Sequence, residues 1–232
     1  MAIVSVRSIW ATAFKRQAAE AAAAYRAKVS KASEPDDGAA LAYDLDDTEA
    51  ASMTSHLTDV ATESGQLAYA SIGSDADVFD QVNALAESWA ATESSQLVSN
   101  ISETTRSMLQ RTIASGTDAG LTVDEIAALI EDSGAFSAQR ARLIAETEVA
   151  AANSHGALAG YQAARDSGVS VKKEWLLGGN PCDVCQENAD AGAIDLDDAF
   201  PSGDDAPPGH PGCQCALSPV VADGDSAQPN GD

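Results

Sequence analysis

The sequence predicts an α+β protein that is mainly α-helical and ends in a small β-hairpin module stapled by a zinc site. Three observations lead to this prediction. Aromatic residues make up only 5% of the 232 residues, and much of the 44% that is hydrophobic is alanine, which favours close-packed helices. Apolar residues recur at three- and four-residue intervals along most of residues 1–168, and the period changes to two after Gly168. All four cysteines follow that change.

Residues 1–31 are predicted to form a basic amphipathic helix. Its apolar residues fall near one face, beginning with Trp10, Ala13 and Phe14. Two interpretations stay open: the apolar stripe packs against the helix's own domain, or the segment is an arm that binds a partner protein or DNA. The second would use the six basic residues of the segment, which are Arg7, Lys15, Arg16, Arg26, Lys28 and Lys31.

The net charge of the chain restricts its partners. The formal charge is −23, from 13 basic and 36 acidic residues, which excludes a protein that coats nucleic acid with its whole surface. Because residues 1–31 hold six cations and one carboxylate, DNA contact is expected only there and should weaken steeply with salt. Dense carboxylates are also typical of proteins that work in high salt, which indicates a halophilic source.

Membrane insertion is not expected. No apolar run approaches the ~20 residues of a membrane-spanning helix. The opening MAIVSVRSIW is too short for a secretory signal and is interrupted too early by Arg7. We therefore expect a soluble protein that is cytoplasmic when it is made and has no membrane partner.

Residues 32–77 are predicted to be an acidic linker. Pro35, Gly38 and many carboxylates would break regular structure in its first part. The apolar spacing over 48–70 is compatible with one short helix.

Residues 78–168 are predicted to form a helical domain. It begins with one long helix or two consecutive helices over 78–115. A short helix follows, at which Thr122 and Glu125 make the S/T-x-x-E capping box. The domain ends with a helix over 137–167, rich in alanines that would let a neighbouring helix approach closely.

Residues 169–220 are predicted to be a small β-rich module that binds a metal. Apolar and polar residues alternate over 169–177, as in a half-buried strand. A second strand near 193–196 would complete a hairpin. The tail at 221–232 has nothing to bury and is expected to be disordered.

Five metal donors are gathered in this module. A C-x-x-C pair within NPCDVC would present two thiolates from a turn, and PPGHPGCQC would supply the second half of a tetrahedron. Two ligand sets stay open: the four cysteines, or a set in which His210 replaces Cys215. The donors are Cys182, Cys185, His210, Cys213 and Cys215.

The predicted zinc is structural. A closed set of four protein ligands leaves no position for water. Half of the signature of zinc nucleobase deaminases is present as Pro-Cys-x-x-Cys, but no His-x-Glu supplies their general base. Two disulfides are the alternative to a metal, and the short cysteine spacings together with the lack of a secretory signal favour the metal.

Several segments follow one another in a specific order over roughly residues 78–220. They are RARLIAETEVAAANSHGALAGY, KKEW, CDVC, AFPSGDDAPPGHPGCQC and ALSP. This succession resembles phage head morphogenesis proteins of the Mu protein F-like or SPP1 gp7-like type. By position, Thr147 and Glu148 lie in the helix motif of that family, Trp175 lies in its strand, and the five donors lie in its metal motif. Glu146 departs from the family, in which a basic residue often precedes the Thr-Glu pair.

The resemblance implies a minor, non-enzymatic head protein of a tailed virus. Such a protein acts with the portal in head morphogenesis and in genome packaging or delivery. Its expected partners are the portal and the major capsid protein, and its expected place is the head interior or the portal vicinity of the virion. Two alternatives stay open: a redox-active module, and a metal-dependent hydrolase or nuclease acting during DNA entry through Glu148, His155 and His210.

Overall fold

The computed structural model describes residues 2–29, 47–72 and 78–222. The fold of this part is mainly helical with one small antiparallel sheet, as the sequence predicts. Its elements in chain order are α1 (Ala2–Val29), α2 (Asp47–Ser71), α3 (Phe79–Asp118), α4 (Val123–Glu131), a 3₁₀ turn (Gly134–Phe136), α5 (Ala138–Asp166), β1 (Val171–Leu176), α6 (Asp183–Asp190) and β2 (Ala216–Val221). Outside the described residues lie Lys31, the linker positions 32–46 and the tail from residue 223.

The predicted helices are confirmed with small shifts at their ends. Residues 78–115 fall almost entirely in one continuous helix, α3. At the start of α4 the N–H of Glu125 donates to Thr122 Oγ1 over 3.3 Å, and the N–H of Thr122 donates to Glu125 Oε2 over 2.7 Å. These two bonds satisfy amides that a first helical turn leaves unpaired. None of the described helices is both long enough and apolar enough to cross a membrane.

The chain divides into two compact units. The first comprises Met1–His56 and Ala91–Glu146, and the second comprises Leu57–Ala90 and Thr147–Asp232. Each unit combines segments that are far apart in the sequence. Periodicity along the chain carries no information on such pairing, so the sequence predicts the helices but not the units.

In the first unit α1 packs its apolar stripe against α4 and the 3₁₀ turn. Trp10 and Phe14 are fully buried, and the ring of Phe14 meets that of Phe136 edge-on, with centroids 6.1 Å apart. Further along the helix, Tyr25 shares a buried cluster with Ile126. The first of the two interpretations of the N-terminal helix is therefore correct for its apolar stripe, which forms part of the core of its own unit.

In the second unit α2 and α5 cross at very close range. Three glycines lie at the crossing: Gly65, Gly156 and Gly160. A methyl group at Gly156 would overlap the backbone of Ala61, and one at Gly160 would overlap the carbonyl of Gly65. The sequence predicts a close approach of another helix to the alanines of α5. The approach occurs at the glycines of α5, which leave room for the backbone of α2.

β1 and β2 form the two-stranded antiparallel sheet of the second unit. The prediction that the second strand lies near 193–196 is wrong, because Ile194 makes only an isolated bridge with Lys173. A turn closed by the N–H of Asp198 on the carbonyl of Asp195 ends this pairing at once. The full partner of β1 is the segment ALSPVV, which directly follows the last cysteine.

Candidate metal centre

The sheet brings the two halves of the cysteine cluster together. β1 ends at Leu176, shortly before Cys182, and β2 begins at Ala216, directly after Cys215. Leu176 and Ala216 are opposite each other in the sheet. Gly178 allows the chains to stay close beyond that pair, since a side chain there would overlap the opposing backbone. The convergence of the donors therefore follows from the antiparallel pairing.

The first half of the site is built at the start of α6. Cys182 is the N-cap residue of this helix, and its Sγ accepts a hydrogen bond from the N–H of Cys185 over 3.5 Å. This N–H lowers the pKa of the Cys182 thiol, and the nearby imidazole of His210 adds to the effect. Donors that favour the thiolate also favour metal binding, because the thiolate is the ligand form of cysteine.

The second half of the site is built on a tight turn. The N–H of Cys213 donates to the carbonyl of His210 over 3.0 Å, Pro211 occupies the second position, and Gly212 has a φ of +76°. These are the features of a type II turn, whose third residue is usually glycine because φ is positive there. The N–H of Gly212 donates to Thr147 Oγ1 on α5 over 3.0 Å. The turn is thus attached to the helix that carries the Thr-Glu pair.

The five donor side chains converge in two overlapping groups of three. The ligand atoms of Cys182, Cys185 and His210 lie within 4.8 Å of one another, and so do those of Cys185, Cys213 and Cys215. Cys185 belongs to both groups and therefore lies at the middle of the donor set.

The sulfur spacing fits a metal site. Cys185 Sγ and Cys213 Sγ are 3.7 Å apart, and two thiolates at about 2.3 Å from a tetrahedral zinc would lie about 3.8 Å apart. A disulfide would need about 2.05 Å, and all four cysteines of the chain are free. The donor set of thiolates and one imidazole is the set that structural zinc prefers.

Three of the thiols are buried and one is exposed. Cys185, Cys213 and Cys215 are buried, whereas Cys182 is exposed. Burial raises the pKa of the Cys185 thiol, and the neighbouring thiols raise it further. Burial also acts to raise the pKa of Cys215, but the backbone N–H of Gly178, the indole of Trp175 and the two neighbouring thiols together outweigh it, so this pKa is lowered.

The buried thiols are part of the hydrophobic core of the module. They share one cluster with Leu158 and Tyr161 of α5, with Trp175 of β1 and with Phe200. The rings of Trp175 and Phe200 meet edge-on with centroids 5.1 Å apart. Within the part of the chain that the structure describes, the buried indole Nε1 of Trp175 makes no hydrogen bond of ordinary geometry. This indole N–H lies near the sulfur of Cys215. It can donate a hydrogen bond to that sulfur if Cys215 is a thiolate.

Two buried polar residues outside the predicted donor set hold the long loop between the two halves. Lys173 is fully buried, and its Nζ donates to the carbonyl of Asp205 over 2.9 Å. The side-chain amide of buried Asn188 on α6 donates to Ser202 Oγ and accepts from the N–H of Ser202. The alternation that predicts β1 already places Lys173 on the inner face with Trp175, whereas no sequence signal indicates Asn188.

The residues of the helix motif have separate surroundings. Thr147 contacts the metal turn through Gly212, and Glu148 is buried. His155 stacks on Trp89 with centroids 5.0 Å apart, and burial lowers its pKa to about 4. Among the described residues, the groups of converging donors contain neither Glu148 nor His155. Of the three residues of the hydrolase alternative, His210 is the one that lies among these converging donors.

The basic residues of the N-terminal helix belong to the first unit. Arg7, Lys15 and Arg16 are exposed, and Arg16 lies 3.7 Å from Glu20. Arg26 forms salt bridges within its own unit, at 3.3 Å from acidic side chains of α4. Lys28 lies near the end of α1.

One known protein family matches part of this chain. The family described as "Phage Mu protein F like protein" matches residues 107–218. The match starts later than the resemblance predicts, and it includes α4, α5 and all five candidate metal donors. No curated protein and no solved structure matches the chain. Residues 107–218 are therefore similar to the phage Mu protein F-like family, and this similarity supports a phage head morphogenesis protein of that type.

Proposed function

We propose that this chain is a minor head protein of a tailed virus that acts, without enzymatic activity, alongside the portal in head morphogenesis and in genome packaging or delivery. The observation that carries the proposal is the position of the donor cluster inside the family segment. Three of its thiols are buried in the core of a module whose described part, residues 169–222, contains one two-stranded sheet and one short helix. Such a cluster supports a structural cross-link better than a catalytic centre, because its donors outnumber the positions of a tetrahedral ion.

The residues fit one structural zinc ion. Cys185 would be a ligand in either set, with Cys182 and Cys213 beside it and His210 or Cys215 in the fourth position. Zinc held by four side chains contributes folding free energy, since a small module without enough core depends on the metal to stay folded. The module would present its loops to other head proteins in a fixed arrangement.

Metal analysis of the purified full chain tests this part of the proposal. We expect one zinc per chain in the wild type and less than a tenth of that in Cys185→Ser, because Cys185 belongs to both donor groups. Val184→Ser is the matched control, since Val184 is exposed on the same helix between the two cysteines. Zinc-free wild type, or full zinc content in Cys185→Ser, would contradict the metal site.

The exposed cations of α1 support a contact with a second head protein. The rest of the chain is strongly acidic, so Arg7, Lys15 and Arg16 are the side chains suited to an acidic surface of the portal or the major capsid protein. Packaged DNA would attract the same three side chains. A protein partner is the proposal, because the acidic remainder of the chain would repel a nearby duplex.

Co-expression with the portal protein encoded beside this chain tests the partner. We expect the two to co-purify, and we expect a triple change of Arg7, Lys15 and Arg16 to glutamate to weaken the complex at least tenfold. Ser8→Glu is the control for a single added charge on the same exposed face. A genome in which neither a portal nor a major capsid gene lies nearby would refute the proposed role, as would binding of the triple variant at wild-type strength.

A further inference from the structure

The peptide unit between Pro211 and Gly212 is hydrogen-bonded at both of its ends. Its carbonyl, that of Pro211, lies 3.1 Å from His210 Nδ1. Its N–H, that of Gly212, donates to Thr147 Oγ1 over 3.0 Å. The central peptide of the metal turn therefore lies between a side chain of the helix α5 and the imidazole of His210.

The first of these bonds fixes the tautomer of His210. A carbonyl oxygen can only accept, so Nδ1 must carry the proton. In the neutral ring Nε2 then has the free lone pair, and a lone pair is what a metal ligand offers. A histidine ligand commonly donates its other ring N–H to a backbone carbonyl in this way, and the bond orients the ring.

The second bond fixes the orientation of the peptide. The common turn types I and II differ mainly by a flip of the central peptide. A flip at Pro211–Gly212 would turn the carbonyl away from His210 Nδ1 and the N–H away from Thr147. Thr147 sits on a long helix, so its hydroxyl is a fixed acceptor that holds one of the two orientations.

We infer that Thr147 is a positioning residue for metal binding: through the Pro211–Gly212 peptide it holds His210 as the Nδ1–H tautomer, with Nε2 presented as a ligand together with Cys182 and Cys185. This inference rests on the proposed metal site. It assigns His210 to the ligand set and gives the threonine of the Thr-Glu pair a specific task. Cys213 supplies the remaining position, and Cys215 stays outside the shell.

The test is a double-mutant cycle on zinc affinity, measured on the full chain by competition with a chelator. Thr147→Val has nearly the same shape but loses the acceptor, and we expect it to weaken zinc binding about tenfold, as for other residues that orient a ligand. Thr147→Ser keeps the hydroxyl and should bind like the wild type. His210→Ala should weaken binding at least as much as Thr147→Val. In the His210→Ala background, Thr147→Val should cause no further loss, because a positioning residue has no effect without the ligand that it positions.

A second readout does not depend on affinity. Nitrogen chemical shifts of the His210 ring, recorded by NMR on the chain saturated with zinc, show which ring nitrogen carries the proton and so distinguish the two tautomers. We expect the Nδ1–H form in the wild type and in Thr147→Ser, and a mixture of both forms in Thr147→Val. Circular dichroism of each variant checks that α5 and the other helices are intact.

The possible outcomes separate the inference from the proposal on which it rests. A wild type without zinc overturns both. Zinc binding that is unchanged in His210→Ala overturns the inference and leaves a four-cysteine site. Additive losses in the double mutant, or an unchanged tautomer in Thr147→Val, show that Thr147 acts only on general stability and overturn the inference alone.

Discussion

The imidazole of His155 shows how a single partly buried ring links the packing of α3 and α5 to pH. It stacks nearly parallel on Trp89, with an angle of 14° between the rings. Burial lowers its pKa to about 4, Lys173 adds to the lowering, and Asp204 and Asp205 oppose it. The folded second unit therefore favours the neutral ring.

This preference predicts a loss of stability in mild acid. Because the folded pKa lies below the ordinary value of about 6.5, the unfolded chain binds a proton first as the pH falls. The stabilisation is complete above about pH 6.5 and disappears as the pH falls to about 4, with a total of about 3 kcal/mol. His155→Phe keeps a ring on Trp89 but cannot titrate. We expect the wild type to lose about 2 to 3 kcal/mol more than this variant between pH 7.5 and 4.5.

Denaturant unfolding at the two pH values measures this difference. His56→Gln is the control, because it removes a different imidazole, whose Nδ1 lies 2.8 Å from the carbonyl oxygen of Ser52 on α2. Parallel loss of stability in the wild type and in His155→Phe would show that the partly buried imidazole does not govern the acid response.

At the scale of single elements, the sequence predicts what depends on local pattern. Helical periodicity and the capping box predict α3, α4 and α5, with end positions close to those in the structure. The pattern does not predict α6, because this helix of eight residues is mostly polar and has no apolar repeat. Nor does it predict β2, since the choice of a strand partner depends on which segments the fold brings together.

The crossing of α2 and α5 is an element-scale feature with its own prediction. Gly156→Ala should destabilise the second unit by about 1–3 kcal/mol, the usual cost of overpacking. The better helix propensity of alanine, about 1 kcal/mol, offsets only part of this cost, because the overlapping atoms belong to the backbone of Ala61 and cannot rotate away. Thermal unfolding of the full chain measures the change.

Gly134→Ala is the comparison for this substitution. Gly134 is exposed, and among the described residues an added methyl group there would meet only the end of the Met108 side chain, at 3.4 Å. A flexible side chain can move aside, so we expect a change within 0.5 kcal/mol, as for ordinary surface substitutions. Equal effects of the two substitutions would mean that the close crossing is not what excludes a side chain at Gly156.

For the whole molecule, the sequence is informative about which residues form the site and less so about how they are held. All five donors are predictable because cysteine and histidine at short spacings have few structural uses in a chain that otherwise avoids cysteine. The contacts that hold these residues in place are not predictable from the sequence. Thr147 bonds Gly212, and Lys173 bonds Asp205, and in both pairs the partners are far apart in the sequence. Such contacts exist only after the second unit has folded.

The two compact units predict a selective response to metal removal. The cysteines lie in the buried cluster of the second unit with Trp175 and Phe200, whereas the buried cluster around Tyr25 and Ile126 in the first unit contains no donor. Chelation should therefore expose the amides of β1, α6 and β2 to hydrogen exchange, while those of α1 and α4 keep their protection. The helical circular dichroism should fall only slightly, because α6 has eight residues and α1, α3 and α5 have 28, 40 and 29.

Hydrogen exchange with mass spectrometry, before and after treatment with a zinc chelator, measures this response. Cys185→Ser serves as the internal reference, since a chain that holds no metal should show fast exchange in β1, α6 and β2 before treatment and no change after it. Val184→Ser should follow the wild type. Loss of protection in α1 together with β1 would mean that the chain unfolds as one cooperative body. Unchanged protection in β1 and β2 would mean that the hydrophobic cluster around Trp175 keeps the module folded without the metal, and that the cysteines serve some purpose other than stability.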